Sequence, residues 1–560
     1  MKIVWSLILC FLLSSFQVHA FEQFEEEVYF RRSVGVDKAT TIAHFQFTTR
    51  WLQNLSGSNN FRWKHFNLFP KALGQIVDRF NVQELSLTFS KGVWRDKEWG
   101  IPFVPAPSGL EVSAVLQNDL VRTAYGNETA WTVASRELAG MFCASINYLD
   151  EKHTVPPVRS LVGANINVTN NRMAAVYGQL PKEASCTENL TPWLKLSPCR
   201  AEEGLGRLLV PKLIYSSRHH TMRTHFQKVC YDKVSQSAGD TLKYGAWSNC
   251  SNPVAELVQT LTLVFDQNLN EGPFQFLQGE MKSTKPGRFP FCRVAKHSLA
   301  YVERVPTQDE HSGSTHSFVD QDVYRIGDVE ILKFDLFNAA ALVDKAVIEA
   351  GSSTVKPSRV TIKRLPTGSG PLAGGISTII KNTFKQNTEI RLLEMIPNYI
   401  RVKPSTLSIM TGSRKWSQSE VSAAVDFYLP KLDGTVGTIE FVLFADPMDI
   451  VVIHYEYEKL FQNIDAFPPS PNTGFDIPAV MLVYKDDSDE KNSKPAVTSP
   501  LLSRLPYSSE TPLRTYSNQL LVMMPMQDFS MPFNVITLTS TILALYFGSI
   551  VNILARRRAD

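Results

Sequence analysis

The sequence predicts an α+β, β-rich fold: lumenal antiparallel sandwich-type domains with an N-terminal α/β portion, plus one C-terminal transmembrane helix. Three observations predict it. Short stretches alternate apolar and polar residues, strictly in Leu85-Ser86-Leu87-Thr88-Phe89 and nearly so over 451–457, which puts Val451, Ile453, Tyr455 and Tyr457 on one face. Segments 70–89 and 128–149 each read as a helix followed by a strand, the repeating unit of an α/β layer. No charged residue occurs from Phe529 through Ala555.

Residues 1–20 have one basic residue (Lys2), an apolar run from Ile3 to Phe16 and the small-residue end Val18-His19-Ala20. That is the anatomy of a secretory signal peptide, and Cys10 is lost with it. A helix over 70–80 follows from Pro70 in its first turn and Leu73, Ile76, Val77 and Phe80 on one face. A second, over 128–139, has Trp131, Ala134 and Leu138 at helical spacing, with Gly140 as its cap. Further strands are expected at 110–116, 142–149, 208–215, 257–265, 329–336, 399–402, 425–429 and 439–444, many of them separated by Pro and Gly clusters. The charged, Ser/Pro-rich stretch 485–500 reads as a loop or linker.

A helix over 533–554 is roughly 33 Å long at 1.5 Å per residue, enough to cross a bilayer core. Arg556-Arg557-Arg558 follows and marks the cytoplasmic side. The same arginines argue against a cleaved lipid-anchor signal, which ends apolar. Within the span, Asn534, Thr537, Thr539, Ser540, Thr541, Ser549 and Asn552 favour contact with another helix over lipid, and Ser540, Ala544 and Gly548 form a face of small residues. The expected plan is therefore a signal peptide (1–20), an N-terminal lumenal glycosylated region with the cysteines (21–300), a β-rich lumenal region (301–484), a loop and juxtamembrane segment (485–532), the transmembrane helix (533–554) and a short cytoplasmic tail (555–560). Residues 21–532 exceed the ~250–300 residues at which single cores stop growing, so more than one domain is expected.

The net charge of +3 argues against nucleic acid as a partner. In an oxidising lumen Cys143, Cys186, Cys199, Cys230, Cys250 and Cys292 should mostly be bridged, and six cysteines pair internally in 15 ways. If Cys186 pairs with another chain, at least one of the other five is left over; Cys143, in what reads as a buried strand start, is the expected one. Sequons stand at Asn167, Asn54, Asn127, Asn249 and Asn189, the last weakened by Pro192 just after its Thr191.

Catalytic chemistry leaves no signature. There is no Gly-x-Ser-x-Gly elbow, His-Glu-x-x-His, phosphate loop or papain-like cysteine pattern. No Cys-x-x-Cys or flanking His gives a zinc spacing, so neither metal nor cofactor is expected. Glu25-Glu26-Glu27 reads as a solvated N-terminal run, and His219, His220 and His225 as a solvated turn between strands.

The stretch Ser185-Cys186-Thr187-Glu188-Asn189-Leu190-Thr191-Pro192-Trp193 is the most informative. Its cysteine sits among polar and turn-forming residues, where a thiol is open to chemistry. The segment resembles the Cys-Thr-Glu-Asn-Leu-Thr-Pro-Trp motif of the PIG-T family. The resemblance runs through Phe69-Pro70-Lys71-Ala72-Leu73-Gly74-Gln75, Trp94 to Gly100 with Ala106-Pro107-Ser108-Gly109, Phe142-Cys143-Ala144-Ser145, Gln321-Asp322-Val323 and Pro471-Asn472-Thr473-Gly474-Phe475. It ends with Asp528-Phe529-Ser530-Met531-Pro532-Phe533-Asn534-Val535-Ile536 leading into the membrane helix.

The resemblance implies a non-catalytic scaffold subunit of GPI transamidase in the endoplasmic-reticulum membrane, single-pass with the bulk lumenal. Its implied partners are a separate Cys/His protease-like catalytic subunit, held by a disulfide through Cys186, and the other membrane subunits. The GPI glycolipid and proprotein substrates are met through the complex. Composition alone equally allows a type I cell-surface adhesion or receptor ectodomain.

Overall fold

Nine strands of the first half of the chain form one sheet, in the order β5-β4-β3-β6-β7-β2-β1-β8-β9. In this computed structural model the described residues are 21–34, 39–52, 66–117, 128–157, 173–183, 185–230, 253–266, 292–303, 321–325, 358–368, 370–430, 434–462, 474–484, 513–524 and 530–556. In chain order the elements are β1 (Phe21–Val34), β2 (Ala39–Leu52), α1 (Lys71–Arg79), β3 (Val82–Lys91), α2 (Asp96–Trp99), β4 (Gly109–Gln117) and α3 (Ala130–Phe142). There follow β5 (Met173–Leu180), α4 (Thr187–Lys195), α5 (Pro211–Ser216), β6 (His219–Cys230), β7 (Pro253–Asp266), β8 (Ala295–Glu303) and β9 (Gln321–Arg325). Neighbours pair antiparallel except β1 with β8, which run parallel.

The central strands are buried on both faces. Phe45, Phe47 and Trp51 of β2 pack with Leu73, Ile76 and Val77 of α1, Trp131 and Leu138 of α3, and Leu190 and Trp193 of α4. Ile42, of opposite parity on the same strand, joins Tyr29, Trp99, Phe103, Val264 and Tyr301 on the other face. Burial on both sides explains why β1 and β2 do not alternate cleanly in hydropathy. It also corrects two expectations. Glu26 and Glu27 are buried in β1, not solvated. His219, His220 and His225 belong to β6, between β3 and β7, where His219 and His220 are buried.

The second half forms two five-stranded antiparallel sheets. Its elements are β10 (Val360–Thr367), β11 (Ala373–Asn382), β12 (Thr388–Ile396), β13 (Ile400–Thr411), β14 (Arg414–Lys415), α6 (Gln418–Ala424), β15 (Val425–Tyr428), β16 (Gly437–Ala445) and β17 (Ile450–Lys459). They continue with β18 (Phe475–Ile477), β19 (Met481–Tyr484), β20 (Leu513–Tyr516), β21 (Leu520–Val522) and the C-terminal helix α7 (Ser530–Arg556). The sheets β10-β11-β17-β13-β14 and β15-β16-β12-β19-β20 share one core, with Ile376, Ile453 and Tyr455 from the first and Ile390, Phe441 and Leu482 from the second. This is the expected sandwich. The break between the two cores lies after Arg325, because β8 crosses residue 300 and β9 pairs with it. β20 and β21, within the segment expected to be loop, complete the sandwich and a small two-stranded sheet.

Two expected strands are helical. α3 continues past Gly140 to Phe142 and is closed by Cys143 in the left-handed region, with φ 52°; a 3-10 turn over Ser145–Tyr148 follows. Residues 208–215 fall in a second 3-10 turn, Gly204–Leu208, and in α5, whose first residue is Pro211. Short apolar runs such as Leu208-Leu209-Val210 do not separate strand from helix by period.

The sandwich docks on the second face of the large sheet near β5. Tyr177 and Val155 pack there against Leu393, Met395, Met481 and Val483. The amide of Gln179 both donates to the Ala479 carbonyl at 2.9 Å and accepts from the Ala479 N–H at 3.1 Å. α7 contains the one helix among the described residues long and apolar enough to cross a membrane, Phe533–Arg556. Its Thr537, Thr539, Thr541 and Ser549 hydroxyls donate to carbonyls four residues earlier, at 2.8, 2.7, 2.8 and 2.7 Å, so the helix satisfies them itself and they do not require a second helix. Residues 1–20, 329–336, 485–500, Asn54, Asn127, Asn167, Asn249, Cys250, Arg557 and Arg558 lie outside the described residues.

Candidate functional site

The Cys186 thiol stands at the N-cap of α4, half-buried and in no disulfide. It is not in a free loop. Leu190, Trp193 and Leu194 recur at three- and four-residue spacing and bury one face of α4 in the large core, which holds the helix and therefore its first residue against the sheet. Trp193 is fully buried, its ring edge-on to Phe47 at 6.0 Å and its indole N–H on the Arg223 carbonyl at 3.2 Å. Burying such a side chain contributes about 2–3 kcal/mol.

Hydrogen bonds fix the cysteine from both sides. Behind it, the buried Ser185 hydroxyl meets His220 Nε2, and His220 Nδ1 lies 3.1 Å from the Ser217 hydroxyl. Burial, aided by the Lys91 charge, lowers the His220 pKa to about 4, so the ring is a neutral brace. Ahead of it, Asn189 Oδ1 accepts from the Cys186 N–H at 2.9 Å and from its thiol at 3.1 Å. Asn189 Nδ2 donates to the Phe142 and Cys143 carbonyls, each at 3.0 Å. The start of α4 is thus bound to the end of α3.

Cys143, the cysteine expected to be left over, is free, but it is exposed at a helix end and not in a buried strand. Cys199 and Cys292 form a disulfide with a Cα–Cα distance of 5.7 Å. Cys230 is the last residue of β6. Of the expected glycan acceptors only Asn189 is described; the residue is 2% exposed and both its amide protons are donated. Arg556 ends α7.

Sequence reasoning picked out Cys186 but missed Asn189, Ser185 and His220 as its supports. A signal for Asn189 was present: a polar side chain three residues after an N-cap reaches back to the N-cap amide. Nothing in the sequence signalled the Ser185–His220 contact, which joins α4 to β6. Among the described residues no group of three or more His, Cys, Asp or Glu is placed to hold a metal ion.

A helix-covered sheet carrying a held, unpaired cysteine, a docked β-sandwich and one C-terminal helix long and apolar enough to cross a membrane define a multi-layered, β-rich protein. A family model described as "Gpi16 subunit, GPI transamidase component" matches residues 8–268 and 240–560. The chain belongs to this family, also known as PIG-T, of components of the GPI transamidase complex. It is 30% identical to the human "GPI-anchor transamidase component PIGT" over 92% of this chain and 87% of that protein. It is 27% identical to the Schizosaccharomyces pombe "GPI transamidase component PIG-T homolog" over 98% of this chain and 94% of that one. It is 26% identical to the Saccharomyces cerevisiae "GPI transamidase component GPI16" over 88% and 82%. A solved GH20 exo-β-N-acetylglucosaminidase from Vibrio harveyi covers 30% of this chain at 10% identity with a TM-score of 0.15, too slight a likeness to bear on fold or function.

Proposed function

We propose that this chain is a non-catalytic scaffold subunit of GPI transamidase that tethers the Cys/His catalytic subunit through a disulfide at Cys186. The observation that carries this reading is the Cys186 thiol: unpaired, half-buried and braced at the start of α4, within the stretch that resembles the family's bridging motif. A bridge converts weak docking into a permanent tether by raising effective concentration. Its formation oxidises two thiols, one from each chain. Their two protons and two electrons pass to a disulfide-bearing oxidant of the lumen, which is reduced to its dithiol form.

In this reading α7 anchors the chain in the endoplasmic-reticulum membrane with Arg556, Arg557 and Arg558 cytoplasmic and the sheets lumenal. Ser540, Ala544 and Gly548 offer a face to other membrane subunits. Asn167, Asn54, Asn127 and Asn249 are the acceptors for glycans. GPI glycolipid and proproteins are met through the assembled complex, with no cofactor on this chain.

The test is electrophoresis of the tagged protein from its own membranes, with and without reductant, comparing wild type with Cys186→Ser. A heavier band that contains a Cys/His protease-like partner, and that vanishes on reduction and in the variant, is expected. Absence of that band in the wild type sinks the tether. Residence at the cell surface with complex glycans would support an adhesion or receptor ectodomain instead.

A further inference from the structure

We infer that Asn189 carries no glycan and is the positioning residue that presents the Cys186 thiol to its partner; the second half of this inference rests on the tether reading above. Asn-Leu-Thr at 189–191 has the form of a glycan acceptor site. A side-chain amide offers two donor protons on nitrogen and two acceptor positions on oxygen. At Asn189 all four are in use: Nδ2 to the Phe142 and Cys143 carbonyls, Oδ1 to the Cys186 N–H and thiol. Attaching a sugar replaces one N–H and puts a bulky polar group where the side chain is 2% exposed, against two backbone carbonyls. A chain glycosylated there before folding could not close the corner between α3 and α4.

The same four bonds decide where the thiol points. Cys186 has an extended backbone, φ −131° and ψ 176°, and its amide is the first donor of a helix end that needs an acceptor. Asn189 supplies that acceptor with the atom that also receives the thiol hydrogen. When the bridge forms, the S–H is lost but the bond from the Cys186 N–H remains, so the sulfur keeps its setting. Through its nitrogen, Asn189 ties that setting to the end of α3. His220 completes it by holding Ser185, one residue earlier.

Two variants separate the halves of the inference. Thr191→Ala destroys the sequon at an exposed position and leaves the Asn189 side chain intact. Asn189→Ala removes both the sequon and the four bonds. In full-length protein from its own membranes, Thr191→Ala should co-migrate with wild type before and after glycosidase treatment and give the same reducible heavier band. Asn189→Ala should give about fivefold less of that band, the equivalent of one lost hydrogen bond, while co-purification of the partner under reducing conditions is unchanged. A one-glycan mobility shift in Thr191→Ala overturns the first half. An undiminished covalent band in Asn189→Ala, or equal loss of covalent and reduced-state association, overturns the second, the latter because it marks Asn189 as a folding residue only. If wild type forms no bridge, the tether reading fails and the positioning role with it, while the mobility of Thr191→Ala still decides the glycan.

Discussion

Glu111 on β4 accepts the hydroxyl of Tyr516 on β20 at 2.7 Å, joining the large sheet to the sandwich across 405 residues of chain. The same carboxyl oxygen accepts the Tyr177 hydroxyl at 2.7 Å, and Gln179 donates to that hydroxyl at 2.6 Å. Burial raises the Glu111 pKa, opposed by the two tyrosine hydrogen bonds and by the charges of Arg514 and Arg223. Hydrogen bonds inside this junction are strengthened by the low local dielectric, and an unpaired group there is correspondingly costly. The two halves of the chain are held by a specific polar contact as well as by apolar packing.

Tyr516→Phe should therefore destabilise the chain by about 1–2 kcal/mol, the worth of one buried hydrogen bond. Thermal unfolding of the membrane-extracted protein, monitored by tryptophan fluorescence, reads this. An unchanged midpoint would mean the hydroxyl contributes nothing to the junction.

The pH dependence has two opposed parts. Burial raises the Glu26 pKa to about 7, against hydrogen bonds from Ser298 and the Leu205 N–H and the nearby His297. The folded state therefore holds this proton more tightly than the unfolded state. Its contribution is fully present below about pH 4.5 and is lost as pH rises through about 7, worth about 3 kcal/mol. Buried His219 and His220, lowered to about 4, and His44 and His225, lowered to about 3, act the other way. Their contribution is present above about pH 6.5 and is lost on acidification toward 4 and 3. Glu26→Gln isolates the first part: its stability relative to wild type should rise by about 3 kcal/mol between about pH 4 and pH 8. Parallel pH profiles for the two proteins would refute the assignment.

Cys143 closes α3 with φ 52°, a conformation that suits glycine and strains a residue bearing a Cβ. Cys143→Gly should raise the unfolding free energy by about 1 kcal/mol and leave the reducible Cys186 band in place. Loss of that band in this variant would assign the bridge to Cys143.

The Cys199–Cys292 disulfide spans a sequence separation of 93 residues. Replacing both cysteines by alanine should cost about 4 kcal/mol, mainly by freeing the unfolded chain. Denaturant titration of the double variant checks this, and a change below about 1 kcal/mol would show that the rest of the fold already constrains that loop.

Much of the fold was legible because its signals are local. The alternation around Leu87 and Ile453 marked β3 and β17, and the apolar faces of 70–80 and 128–139 marked α1 and α3. β1 gives no such signal because the run Glu25-Glu26-Glu27 interrupts it, and the partners of that run are remote: Arg50 for Glu25 at 2.8 Å, and the Leu205 N–H for Glu26 at 3.0 Å. His219 and His220 looked solvated for the same reason. Trp94 and Trp99, which enclose His219, and Ser185, which meets His220, are each far away in sequence. Cys186 stands out by its polar neighbours and the motif around it, but its brace does not, since Asn189 also has the form of a sugar acceptor.

By itself the sequence determined the class of the molecule: β-rich layers, an apolar C-terminal helix over about 533–554 followed by arginines, and a cysteine in a distinctive polar segment. Periodicity, run length and charge are properties of neighbouring residues, and they survive without a fold. Only the tertiary structure decided that Asn189 is occupied on all four hydrogen-bonding positions, that His220 is a buried neutral brace, that Cys199 pairs with Cys292, and that Glu111 meets Tyr516. Each of these depends on which atoms a folded chain brings within about 3 Å and shields from water, and no local pattern encodes that distance.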